Sequence, residues 1–176
     1  DVKFQRVKTD ICNHLKQRND TIISTFVDYY GLKEWPGEDK IKSNDTPNEI
    51  ASVLNEAAKK AITSEYTQVN VYDRFIPFMA VHEFEALLFS DSEILSRYLN
   101  ISKSEVDKVI EECGSPEEIN NSPQTAPSKR LQCWAHGNYG KTTSGIAIAK
   151  AIGIERMRNK CPLFDDWLSQ LEKRIN

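Results

Sequence analysis

The residues of this 176-residue chain best suited to chemistry lie in positions 75–91, FIPFMAVHEFEALLFSD. The second half of that stretch sets His82, Glu83, Glu85 and Asp91 among Phe84, Ala86, Leu87, Leu88 and Phe89. A further acid, Asp28, closes an earlier apolar run at positions 21–28, TIISTFVD. Carboxylate oxygens without clustered Cys or His favour a hard cation, magnesium or manganese, over zinc. Such an ion polarises a phosphate and lowers the pKa of bound water, which is the chemistry of phosphodiester hydrolysis. Simpler roles compete with this one. A single Asp at a strand end commonly caps or turns the chain, and a lone His there is commonly just hydrogen-bonded.

Positioning these groups falls to two apolar runs. Positions 75–81 suit a strand buried on both faces and are too short for a stable helix. Positions 21–27 have the same character, and a helix of suitable length lies between the two runs. They are therefore expected to be adjacent parallel strands with their acidic ends together. A buried strand that empties into carboxylates is the geometry from which α/β active sites open. The directions of Glu83 and Glu85 depend on local structure. On a strand both point into one crevice; on a helix they diverge by about 200°. Glu83 is expected at the strand end, and Glu85 in the first turn of a helix that includes residues 86–89, where the helix dipole favours a negative charge.

The remaining elements follow from periodicity and punctuation. Positions 1–17 predict a helix with Phe4, Val7, Ile11 and Leu15 on one face. Positions 31–47 read as a polar loop with a Trp35-Pro36-Gly37 turn. Thr46, Pro47 and Glu49 open a helix with a capping box, and Ile50, Val53, Leu54, Ala57, Ala58 and Ile62 form its buried stripe. Ser102 caps another helix through Cys113, with Glu105 three residues on. A Pro-, Asn- and Ser-rich loop fills 115–128, and helical patterns return at 128–134, 144–152, 154–159 and 164–175.

Hydrophobic residues make up 39% and charged residues 28%, as in ordinary globular chains. No apolar run approaches the roughly 20 residues of a membrane span, and no signal peptide is visible. The four cysteines lie far apart without a CxxC pair, so free thiols in a reducing cytoplasm are expected. Residues 1–122 hold 14 Lys/Arg against 22 Asp/Glu, and residues 123–176 hold 9 against 4. An acidic part beside a basic part suits a nucleotide or nucleic-acid enzyme, although solvated faces alone give the same totals.

The segment HGNYGKTTS at 136–144 resembles a phosphate-binding loop. That pattern requires Gly at position 135, where this chain has Ala, and a strand where 129–134 reads as helix. Lys141, Lys129 and Arg130 are instead expected to offer positive charge to phosphate. The loop 122–128, with Pro123 and Pro127, would hold the last two in place. Arg130 is equally suited to pairing with a core carboxylate.

DYYGL at 28–32, RFIPFMAVHEFEALLFSD at 74–91, TAPSKRL at 125–131 and CPLFDDWL at 161–168 resemble a bacterial family called domain of unknown function 4276. The resemblance covers nearly the whole chain. It implies a divergent Toprim-like fold, similar to the nuclease half of overcoming-lysogenization-defect proteins, and genes that stand beside ABC-type ATPases in phage-defence loci. In that pattern Asp28 matches the first acid of an Asp-x-Asp metal motif, Tyr30 replaces the second, and Glu83 and Glu85 match the acidic pair of the next strand. The Gly-rich opening segment with its metal glutamate has no counterpart here, and since the chain starts with Asp rather than Met it is expected to lie upstream.

The resemblance therefore implies a Toprim-like parallel α/β core over 1–91, lacking its first strand segment, and a helical C-terminal part over 92–176. Its expected activity is a magnesium- or manganese-dependent nuclease subunit in the cytoplasm, with nucleic acid and an ABC-type ATPase as partners and room for self-association. Asp28, Glu83 and Glu85 would bind metal, Glu83, Glu85 and His82 would serve catalysis, and Lys129, Arg130 and Lys141 would contact phosphate. A non-catalytic regulator of an ATPase and a small-nucleotide phosphohydrolase are the rival expectations.

Overall fold

The computed structural model describes residues 2–66, 70–119, 122 and 124–175. The chain divides into two compact units, Asp1–Val81 with Trp167–Asn176, and His82–Asp166. Among the described residues no helix is long and apolar enough to cross a membrane.

The first unit is mixed α/β. Strand β1 (Val2–Lys3) precedes helix α1 (Phe4–Gln17), whose inner face carries Phe4, Ile11, Cys12 and Leu15. Strand β2 (Ile23–Asp28) follows, then a 3-10 turn over Tyr29–Gly31 and strand β3 (Leu32–Lys33). β1 and β3 pair in parallel, Val2 with Leu32 and Lys3 with Lys33. The sequence hides this ladder, because two-residue strands have no period. It also starts α1 later than the helical pattern suggests, since residues 2 and 3 are extended against β3.

The Trp35-Pro36-Gly37 turn is anchored rather than loose. Trp35 is buried, edge-on to Phe4 with ring centroids 4.9 Å apart. Gly37 has φ +90°, and a Cβ there would stand 2.9 Å from the Ala57 Cβ, so only glycine lets this turn approach the next helix. That helix, α2 (Pro47–Glu65), begins with the expected capping box: Glu49 N–H donates to the Thr46 hydroxyl, and the Thr46 N–H donates to Glu49 at 2.8 Å. Ala51, Leu54, Ala58 and Ile62 form its buried face, and α2 packs against β4. A short helix α3 (Val71–Arg74) leads into β4 (Phe75–Ala80), where every residue is buried.

β2 and β4 are parallel neighbours as expected, in register from Ile23 with Phe75 to Asp28 with Ala80. Pro77 has no N–H to give. Among the described residues β4 bonds to one neighbour only, the edge setting that sheets allow for proline. Ser24 joins the pair to the C-terminal segment. Its hydroxyl donates to the Ile76 carbonyl at 2.6 Å and accepts from the Trp167 indole at 2.7 Å. Trp167 stacks on Phe78 at 5.0 Å and meets Phe26 edge-on at 5.7 Å.

The second unit is helical. A 3-10 segment over Phe84–Ser90 is followed by α4 (Ser92–Leu99) and α5 (Lys103–Cys113). Asp91 caps α4 by accepting from the Ile94 N–H at 2.9 Å, so the helical pattern after Ala86 breaks there into two pieces. A 3-10 turn at Pro116–Glu118 precedes α6 (Pro127–Trp134); positions 120, 121 and 123 of the predicted loop lie outside the described residues. A π-helical turn over Lys141–Gly145 runs into α7 (Ile146–Ile152), then α8 (Ile154–Lys160) and α9 (Pro162–Ile175), which ends in the first unit. The 3-10 segment packs against α6, α7 and α8. Its Leu88 and Phe89, with Leu95, Leu131, Ile148 and Ile152, are fully enclosed.

Arg74 holds the first unit's edge. It is 6% exposed, and its guanidinium donates to the carbonyls of Thr21 at 3.0 Å, Leu15 at 3.2 Å and Arg18. These carbonyls lie at the end of α1 and in the link to β2, where helix geometry leaves acceptors unmatched. Arg74→Met should lower stability by about 2–4 kcal/mol, since hydrogen bonds to a charged donor contribute about 1.5–3 kcal/mol. Urea unfolding measures it; a loss under about 0.5 kcal/mol, the range of ordinary surface changes, would remove Arg74 as the clamp.

Candidate functional site

Each sequence-selected residue can now be placed. Asp28 is the last residue of β2, partly buried, with Oδ1 shielded from solvent. Its register partner is Ala80, the last residue of β4. Tyr30 is 62% exposed. These belong to the first unit. His82, Glu83 and Glu85 open the second unit, along with all three basic candidates.

Glu85 falls in the first turn of the 3-10 segment, as expected, whereas Glu83 stands immediately before that segment, three positions past the end of β4 rather than at the strand end. Both Glu83 oxygens are engaged by one residue of α6. Oε2 accepts from the Ser128 N–H at 2.8 Å, and Oε1 accepts from the Ser128 hydroxyl at 2.8 Å. The reason lies in the sequence of α6. Its N-cap position is Ala126, which has no side chain able to cap, and Pro127 follows at the first helical position. The orphan N–H of Ser128 must find an acceptor elsewhere. Glu83 supplies it, with a charge that also suits the helix start.

Glu85 is 1% exposed and pairs with Lys141, whose Nζ lies 3.0 Å from Oε2. The two are joined as an ion pair rather than by an aligned hydrogen bond. The Lys141 side chain is 52% exposed, so it reaches inward from the surface. It sits at the first position of the π-turn, closed by the Gly145 N–H donating to the Gly140 carbonyl at 3.0 Å. A Cβ on Gly145 would stand 2.7 Å from the Tyr139 hydroxyl, so a bare glycine is needed for that ring to seat. Tyr139 is 6% exposed. Burial first, then the charges of Glu85 and Glu83, push its phenol far above the usual range. The site thus combines one desolvated carboxylate, one ammonium and one phenol held neutral.

The other basic candidates differ. Lys129 is exposed. Arg130 donates to the Thr125 carbonyl at 2.8 Å and so braces the approach to α6. All four cysteines are free, and buried Cys161, hydrogen-bonded to the Ser90 hydroxyl at 3.3 Å, is pushed up to about 12 by burial. The phosphate-loop resemblance also ends here, because α6 occupies the place of the required strand.

A family model described as domain of unknown function (DUF4276) matches residues 1–172. The chain belongs to the DUF4276 family. No curated protein and no solved structure matches it. The acidic pair of this DUF4276 chain offers the hard oxygens that magnesium prefers. Yet both Glu83 oxygens hold Ser128, Glu85 holds Lys141, and among the described residues no three His, Cys, Asp or Glu side chains form a metal-binding group. As arranged, the pair does not fit the ion.

Sequence reasoning missed Ser128, Tyr139 and Gly145. A signal existed for Ser128, since APS opens a helix without its own cap. None existed for Tyr139, whose role depends on a turn type that has no sequence period.

Tyr139 also makes the site measurable. The folded DUF4276 chain keeps a proton that the unfolded chain releases near pH 10, so stability is present below that pH and falls as pH rises beyond it. Glu85→Gln removes the nearest negative charge, and the last phenol to ionise should then do so at lower pH. Absorbance titration at 295 nm, with Tyr139→Phe as reference, checks this; an unmoved profile would separate Tyr139 from Glu85 electrostatically.

Proposed function

We propose that this chain is a nuclease-like subunit of a bacterial phage-defence system, acting on nucleic-acid phosphodiester bonds in the cytoplasm with an ABC-type ATPase as partner. A Toprim-like core is part of the proposal. One observation carries it: β2 and β4 are parallel and in register to their last residues, Asp28 and Ala80, so the Asp28 carboxylate leaves the C-terminal end of a strand paired with the buried β4. Ligand and metal sites of α/β sheets open at that end. The four free cysteines agree with a reducing compartment.

Magnesium or manganese is the cofactor this reading implies, and Asp28 is the carboxylate that would help to hold it. No step is assigned through the ion, because Glu83 and Glu85 do not fit it as arranged. The chain's own residues still have definable parts. Lys129, exposed at the start of α6, supplies sequence-independent attraction to phosphate. Ser128 and Arg130 fix the backbone that carries it.

A second reading, a non-catalytic partner of the ATPase, is favoured by the same engagement of Glu83 and Glu85 and by Tyr30 in place of an acid. Cleavage of long DNA by the full chain with manganese or magnesium separates the two. On the nuclease reading, Asp28→Asn should cost more than the roughly 10- to 100-fold that loss of an outer partner costs a metal site. Undiminished cleavage by Asp28→Asn would discard the site, and a wild-type chain with neither cleavage nor calorimetric metal binding would leave the partner reading. Independently, Lys129→Glu should weaken DNA binding by a similar factor on all sequences and reduce the salt slope by about 1 or more. Binding unchanged in strength and slope would remove Lys129 from the interface.

A further inference from the structure

The family pattern would make Glu83 and Glu85 metal ligands, and the second unit arranges them otherwise. We infer that Lys141 is the resident cation of Glu85, and that the Glu83–Glu85 pair is scaffold, so that any divalent ion the protein binds is held without these two carboxylates. The inference bears on the nuclease reading, by moving its metal away from this pair, but does not require that reading to be correct.

Three observations support it. First, a carboxylate that is 1% exposed needs a positive partner or must take up a proton. Lys141 provides that charge at 3.0 Å, and the turn that delivers it is built for the purpose. The π-turn starts at Lys141, closes on Gly140, and fits around Tyr139 only because residue 145 has no side chain. Second, the neighbouring ring adds no competing charge: Tyr139 is buried and neutral, so the Lys141 ammonium faces the Glu85 carboxylate without a phenolate beside it.

Third, the geometry of Glu83 recurs where no metal has been suggested. Helix α9, like α6, begins with proline, and its first N–H groups are met by a distant glutamate. Glu117 Oε2 accepts from the Leu163 N–H at 2.9 Å, and Oε1 accepts from the Phe164 N–H at 3.0 Å. Glu83 does the same work on α6 through the N–H and hydroxyl of Ser128. A bidentate glutamate closing a proline-started helix is therefore a repeated structural device of this unit. It accounts for Glu83 without any ion.

The pair is asymmetric in exposure, which gives a sharp test. Lys141→Met strands a buried charge and should raise the unfolding constant by about a hundredfold or more. Glu85→Gln lets the half-exposed Lys141 turn to water, and should raise it about tenfold or less. The double variant should match Glu85→Gln alone rather than the product of the two effects. These are read by urea unfolding of the full chain, repeated with excess manganese chloride, and by calorimetric titration of manganese into wild type and Glu85→Gln. Manganese should leave the Lys141→Met deficit in place, and Glu85→Gln should bind manganese as wild type does, whether that is measurable or nil.

Rescue of Lys141→Met by manganese, or loss of manganese binding in Glu85→Gln, would overturn the inference; so would a Lys141→Met chain as stable as wild type. If Lys141→Met does not fold alone, recovery of folding in the double variant supports the inference, and failure of both variants beside a folded Glu85→Gln overturns it. Absence of manganese binding in every chain would sink the nuclease reading while the stability comparison still decides the role of Lys141.

Discussion

The buried charge of Glu85 is the constraint on which the second unit depends. A carboxylate withdrawn from water is tolerated only when an opposite charge accompanies it. That requirement reaches back into the sequence. It fixes a lysine at the opening of the Lys141–Gly145 turn, a glycine at the turn's end, and a phenol that must remain protonated beside it. The 3-10 segment carrying Glu85 is also the element against which α6, α7 and α8 pack. The same segment contributes Leu88 to the enclosed apolar residues of this unit, beside Leu131 and Ile148. Hydrophobic burial supplies the bulk of the driving force.

How much of this was legible depends on the range over which each signal acts. Local signals read well. The capping box at Thr46 and Glu49, the apolar run of β4 and the parallel pairing of β2 with β4 are written in neighbouring residues or in strand length and connection length. The acidic stretch at 83–85 was also visible, as was the place of Glu85 in a helical first turn, while Glu83 lies past the strand end, just before the 3-10 segment. Its partners were not. Lys141 and Glu85 are 56 positions apart and Ser128 and Glu83 are 45 apart, so nothing in either segment alone announces the other. A phosphate-contact reading of Lys141 and a metal-ligand reading of Glu85 were each reasonable in isolation. The fold brings the two candidates to each other.

Short elements escaped for a different reason. β1 and β3 contain two residues each, and the π-turn owes its shape to Gly140, Gly145 and the Tyr139 ring rather than to any periodic pattern. Such features are set by tertiary packing, and a propensity argument has nothing to act on there. Arg74 shows the same limit. As a sequence letter it is an ordinary basic residue before a strand. In the fold it is nearly enclosed and gathers three carbonyls.

The aromatic clip of Trp167 on Ser24, Phe26 and Phe78 has a consequence for biosynthesis. Residues 82–166 separate that indole from the strands it covers, so the first unit is discontinuous along the chain. During translation β2 and β4 leave the ribosome with the Phe26 and Phe78 rings uncovered, and they stay so until the intervening residues have been made. At about 5–20 residues per second, the nascent chain presents this sticky aromatic surface for several seconds. That interval is the window in which a chaperone, or a second nascent chain, would find it.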